Sequence, residues 1–241
     1  MISCKKSDSP ITKVTPVDLD SITANYYEQY LKLYPLDATA QGDERYNDQL
    51  PINIDKDFIS GEITFYNSVQ NQLKKVDYKS LSDQDKTVYD VLDYTLKDKI
   101  ERYAYHPEYI PFTQFSGLPL DFPLLGSGQG NQPFKTEKDY SDWLKRTENF
   151  PAWMDAAIEN FREGITNQYV LPKKLVVKMV TQMNAEEITT SDFSKNIFYG
   201  PINNFPKNFT AAQREKFTKE FKTMITKIII PSYTKMGSFL Q

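Results

Sequence analysis

Cysteine and histidine are almost missing from this chain, one of each in 241 residues. A lone cysteine excludes an internal disulfide framework and any cysteine-rich zinc site. A lone histidine excludes every motif that needs two, HExxH included. Surplus positive charge is missing too. Lys+Arg 29 against Asp+Glu 32 leaves a net charge of −3, without the phosphate-neutralising excess of most nucleic-acid binders, so no nucleic-acid partner is expected. No apolar run approaches the roughly 18 residues that cross a bilayer, and mean hydropathy is −0.57. What remains is a globular composition. A chain of this length buries roughly 70–75% of its unfolded surface and needs neither disulfide nor structural metal to fold.

The two ends carry signals of their own. Met1-Ile2-Ser3-Cys4-Lys5-Lys6, followed by Ser, Asp and Pro, resembles the junction at the end of a bacterial lipoprotein signal. Cys4 is then the lipidation candidate, and residues 1–15 are signal remnant and flexible tether. The membrane is reached only through a lipid on Cys4, and the protein is placed at the bacterial cell envelope, periplasmic or outer-membrane facing, if the full gene supplies the missing signal peptide. An ordinary free cysteine in an N-terminal tail is the other reading. At the far end, Thr210-Ala211-Ala212-Gln213 reads as a capping box. Phe217, Phe221, Met224, Ile225 and Ile228 follow on one helical face. Pro231 ends or kinks that helix, and Tyr233, Met236, Phe239 and Leu240 resume the pattern up to Gln241. Either this last face is unfinished and forms an exposed apolar patch, or it is a short helix docked on the core.

Between the ends, apolar periodicity predicts helices over about 16–34, 55–75, 82–104, 137–149, 151–164, 172–190 and 210–230. Thr15 and Pro16 would open the first, and Ser82 with Asp85 the third. Residues 106–135 hold five prolines and four glycines and are expected to be irregular, as are 192–209. The predicted fold class is all-α: an irregular helical array with one long Pro/Gly-rich connection.

Few chemistry-bearing motifs survive inspection. Gly126-Ser127-Gly128-Gln129-Gly130 lacks the preceding strand and following helix that a phosphate cradle needs. Ser127 sits in no Gly-x-Ser-x-Gly elbow and has only His106 as an imidazole partner. His106, directly before Pro107, reads as a helix-exit or surface residue. Glu186 and Glu187 are helix neighbours that do not share a face. The aromatic fraction of 14% falls mostly at core spacing, and Asn208-Phe209-Thr210 is a formal glycosylation sequon of little weight.

The order of several motifs says more. Pro35-Leu36-Asp37-Ala38-Thr39-Ala40-Gln41-Gly42-Asp43-Glu44-Arg45-Tyr46-Asn47-Asp48 resembles the N-terminal signature of the DUF885 family. Asp83 to Ile100, Gln114-Phe115-Ser116-Gly117, Tyr140 to Arg146 with Phe150-Pro151, Phe161-Arg162-Glu163-Gly164-Ile165 with Leu171-Pro172, and Ile230-Pro231-Ser232-Tyr233 with Phe239-Leu240 resemble later family segments in the same order. That resemblance implies a bacterial lipoprotein-like protein and the N-terminal part of a larger, helical, zinc-metallopeptidase-like fold. It places the HExxH helix and the zinc in a C-terminal half that this chain does not contain. No catalytic or metal residue is therefore carried over, no cofactor is expected in the chain itself, and the chain alone is expected to be inactive. In the full-length protein the partner would be a peptide substrate. Gln114 and Gly117 are the candidates for lining its cleft, a structural connection being the other reading of that segment. The alternative to a peptidase fragment is a complete helical binding or scaffold lipoprotein. Substrate, metal and oligomeric state have no signal in the sequence.

Overall fold

The computed structural model describes residues 18–241, so Cys4 and the predicted cap at Thr15 and Pro16 lie outside the described residues. Helix α1 (Leu19–Leu33) is capped instead by Asp18, whose carboxylate accepts from Ser21 N at 3.3 Å. Pro35 cannot continue α1 and opens α2 (Pro35–Ala40) as its N1 residue. Asp55 caps α3 (Lys56–Leu73), accepting from Phe58 N at 2.7 Å, and Ser82 caps α4 (Asp83–Glu101). Helices α1, α3 and α4 enclose a small core of Leu19, Ile22, Tyr66, Val69, Leu73, Leu92 and Leu96. Val88 and Val91, which helical spacing puts on the inner face of α4, are 40% and 61% exposed. The inner stripe runs through Tyr89, Leu92, Leu96 and Ile100 because α4 packs chiefly on α3 and more lightly on α1.

The second, larger core is built by α5 (Leu118–Gly126), α6 (Glu137–Thr147), α7 (Phe150–Thr166), α8 (Lys173–Met183), α9 (Glu186–Thr189), α10 (Gly200–Asn203), α11 (Ala211–Met224) and α12 (Ile230–Leu240). Among the described residues every regular element is helical, and no helix is long and apolar enough to cross a membrane. Trp143, Trp153, Phe122, Phe150, Phe198, Phe217, Phe221 and Tyr233 fill this core. Thr210 and Gln213 form the reciprocal capping box that the sequence indicates.

Helix α5 corrects the expectation that 106–135 is wholly irregular. Pro119 stands in the first turn, where a missing N–H costs nothing. Pro123 stands inside the helix and leaves the Pro119 carbonyl without its usual i+4 donor. The Tyr233 hydroxyl of α12 fills the gap, donating to Pro119 O at 2.7 Å in a fully buried position. The segment 192–209 likewise contains α10 and a single 3-10 turn, Ile197–Tyr199. Pro231 neither ends nor breaks the last helix. A π-turn over Ile225–Ile229 widens the backbone just ahead of it, which removes the clash with the preceding turn. Ser232 Oγ then donates to Ile228 O at 2.6 Å. Of the four apolar residues of the final face, Tyr233 and Met236 are fully buried, while Phe239 and Leu240 are half-buried.

Candidate functional site

The segment 49–54, which directly follows the signature stretch 35–48, is held by one row of donors. Arg146 stands at the end of α6 and Asn149 at the start of α7, and Trp153 and Asn160 follow seven residues apart on one side of α7. Arg146 Nε donates to Gln49 O at 3.0 Å, Asn149 Nδ2 to Leu50 O at 3.1 Å, Trp153 Nε1 to Asn53 Oδ1 at 2.9 Å and Asn160 Nδ2 to Ile54 O at 2.7 Å. Three backbone carbonyls and one side-chain amide of an otherwise irregular segment thereby find donors, and the segment is fixed across the helices.

Arg146 is the centre of this arrangement. It is completely buried, yet none of its hydrogen-bond acceptors is a carboxylate. Besides Gln49 O it donates to Gln132 Oε1 (2.5 Å), Thr39 Oγ1 (2.8 Å) and Tyr46 O (2.7 Å). Thr39 is itself bonded to Pro35 O and Asn47 Oδ1. Burial pulls the guanidinium down to about 10, Asp48 and Asp142 opposing this weakly. The threonine and asparagine of the N-terminal signature and the arginine of the Tyr140–Arg146 segment are therefore partners in one buried network.

A second polar centre lies in the small bundle. Glu62 is 1% exposed and accepts hydrogen bonds from the hydroxyls of Tyr34, Tyr66 and Tyr103. Lys99 Nζ stands over the rings of Tyr30, Tyr34 and Tyr66 at 5.5–5.7 Å. Burial, then the hydrogen bond to Glu62, raises Tyr34, Tyr66 and Tyr103 well above the ordinary phenol value. Sequence periodicity gives no sign of Glu62, because it occupies an inward position of α3 that an apolar residue would normally take.

The two cleft candidates separate. Gly117, at φ +125, is a turn residue that only glycine enters easily, and its missing side chain leaves room for Phe112. It lines a pocket of about 240 Å³ between the signature stretch and α5, together with Tyr34, Asp37, Asn53, Asp121 and Trp153. Asp37 accepts from the Tyr30 hydroxyl. Asp121 keeps solvent contact, but the surrounding wall pushes it above the usual carboxylate range. Gln114 does not line this pocket. It is buried, its backbone carbonyl accepts from Gln182 Nε2 at 3.1 Å, and its own Oε1 has no partner among the described residues.

The remaining motif residues take structural places. Ser127 Oγ donates to Leu124 O at 2.8 Å and accepts from Gln129 N. His106 adopts a left-handed conformation at the helix exit, contacts Glu108 through Nδ1 at 2.9 Å and stacks on Tyr109. Glu186 and Glu187 are exposed. Among the described residues no group of three or more His, Cys, Asp or Glu side chains could hold a metal ion. The donors present here do not fit the zinc site of an HExxH enzyme, the single histidine being tied to Glu108 and Tyr109.

Residues 35–241 match a family described as bacterial protein of unknown function, DUF885. No curated protein matches the chain. The fold is similar to a crystal structure of a candidate lipoprotein from Colwellia psychrerythraea, with a TM-score of 0.71 at 14% identity, covering 92% of this chain. The chain spans 40% of the length of that protein.

Proposed function

The chain belongs to the DUF885 family, and on that footing we propose that its helical body is the non-metal wall of a peptide-processing cleft in an exported, lipid-anchored bacterial protein. The observation that carries this reading is the pocket at Gly117. The family signature and the Pro/Gly-rich segment, 80 residues apart in sequence, meet there around Asp37, Asp121 and Trp153. Rigid elements back both walls, through the Arg146 network on one side and the Tyr233–Pro119 bond on the other. Two further facts support the larger assembly. The structural neighbour is more than twice as long. Ile165 and Val170 are 59% and 60% exposed beside the half-buried Phe239 and Leu240, an apolar surface suited to a further layer of protein. The lipid anchor rests on the Ile2-Ser3-Cys4 junction together with the description of that neighbour.

Two measurements test the reading. The purified 241-residue chain is expected neither to bind zinc tightly and stoichiometrically nor to hydrolyse peptides. The gene is expected to continue in frame past Gln241 into an HExxH-coding stretch. Tight one-to-one zinc binding by the chain alone would overturn the assignment of the metal elsewhere. A stop codon directly after Gln241 would replace the peptidase reading by a self-contained helical binding lipoprotein.

A further inference from the structure

At the C-terminal end of α5, the opposite end of that helix from Gly117, the turn after α5 and the 194–204 segment border a groove of about 830 Å³. Its walls are fixed by close backbone packing. Gly200 lies so near the Ser127 carbonyl that a Cβ there would collide with backbone. Asn196 Nδ2 donates to Ile188 O and Thr190 O while its Oδ1 accepts from Phe198 N. The Tyr140 hydroxyl donates to Pro201 O at 2.8 Å. A binding surface built on such ordered backbone loses little freedom when a ligand arrives.

The lining is distinctive in kind. It holds no Asp or Glu, two lysines (Lys135 and Lys195), and a concentration of amides. Gln129, Asn131 and Asn203 are exposed and make no side-chain hydrogen bond among the described residues. Gln132, also in the lining, is 2% exposed. Arg146 captures its Oε1, which fixes the amide orientation and leaves Nε2 buried without a partner. A buried donor with nothing to donate to is costly and calls for an acceptor. Lys195 lies 3.6 Å from Asp192, whereas Lys135 forms no ion pair among the described residues.

We infer that this groove binds an extended acidic peptide. An amide side chain offers both donors and acceptors, matching the paired N–H and C=O groups of a peptide main chain. The lysines supply attraction for carboxylates, and no acidic residue in the lining opposes it. A sugar ligand would want a free aromatic face, but the aromatic residue in the lining, Phe134, is packed edge-to-face against Tyr140, Trp143 and Phe221. A nucleic-acid strand would want stacking platforms and more positive charge. This site is separate from the pocket at Gly117 and does not depend on the peptidase reading.

The test uses the 241-residue chain and a fluorescently labelled peptide of glycine, serine and glutamate, followed by anisotropy. Saturable binding that weakens with salt is expected. Combined Asn131→Ala and Asn203→Ala replacement should weaken it about tenfold, the loss of one or two net hydrogen bonds. Lys135→Glu should weaken the acidic peptide and leave an uncharged glycine/serine peptide unaffected. All three positions are exposed, so unchanged thermal melting is the control for folding. Absence of saturable binding, binding indifferent to these substitutions, or preference for a neutral oligosaccharide over the peptide would each overturn the proposal.

Discussion

Arg146 is a buried cation satisfied entirely by neutral acceptors, an arrangement that depends on the shape of the guanidinium. Its planar fork reaches five acceptors on two separate stretches of chain: Pro35, Thr39, Tyr46 and Gln49 on one, Gln132 on the other. An ammonium has the charge without the fork and can serve at most three acceptors. Arg146→Lys is therefore expected to lower stability by about 3 kcal/mol, because buried carbonyls lose their donors while the charge stays buried. Urea unfolding of the variant measures this, and a loss below about 1 kcal/mol would mean that water readily replaces the guanidinium. At this scale the sequence was informative about importance and silent about role. The segment containing Arg146 resembles the family pattern, and so does the stretch containing Thr39 and Asn47. Nothing in one sequence says that they touch across 107 positions. Glu62 and the groove amides were not legible for a related reason: read one residue at a time, a buried carboxylate looks like an exposed one and a groove asparagine like any other on the surface.

Among the elements, α5 shows how two parts of the chain share one hydrogen bond. Pro123 removes a donor, and Tyr233, far along the chain in α12, restores it to Pro119 O. Tyr233→Phe should cost about 1–3 kcal/mol by leaving that carbonyl unpaired. Pro123→Ala supplies a backbone N–H to the same carbonyl, so the double variant should recover about 1 kcal/mol relative to the sum of the single changes. A denaturant-based double-mutant cycle checks the coupling, and strict additivity would sink the explanation. Most long helices were legible because their caps are local: Asp55, Ser82 and the Thr210–Gln213 box act within three residues. Helix α5 was not, since the feature that makes its internal proline tolerable lies in a distant helix. That Pro231 does not end the helix was hidden for a different reason. A π-turn absorbs the ring, and no residue type announces a π-turn in advance.

The molecule as a whole has two cores joined by the pinned 46–54 segment and by the Lys56–Glu163 ion pair. Phenols raised above their ordinary value chiefly by burial are more numerous in or beside the smaller core, Tyr26, Tyr30, Tyr34, Tyr66 and Tyr103, than at the larger, which has Tyr140, Tyr199 and Tyr233. A phenol whose folded value is raised stays protonated in the native state while the unfolded chain begins to ionise. The native state then binds more protons, and stability falls as pH rises past 10. Below pH 10 this contribution is fully present. The smaller bundle is thus expected to lose protection first at alkaline pH. Hydrogen exchange, corrected for base catalysis, should show α1, α3 and α4 opening before α7 and α11. Equal loss of protection in both bodies would contradict the picture of separable cores. The all-α class was legible from composition and period, whereas the division into two cores was not, because it depends on which helical faces meet.

The placement of the two tryptophans has a practical consequence. Both indoles, Trp143 and Trp153, belong to the larger core, 0% and 2% exposed, and the smaller core has none. Excitation at the red edge of the absorption band, where phenols are dark, therefore gives an emission signal that originates in one body alone. Trp153 also donates to Asn53 on the stretch that bridges the two bodies. Its emission colour doubles as an optical tag for the seam between them, available without any added label.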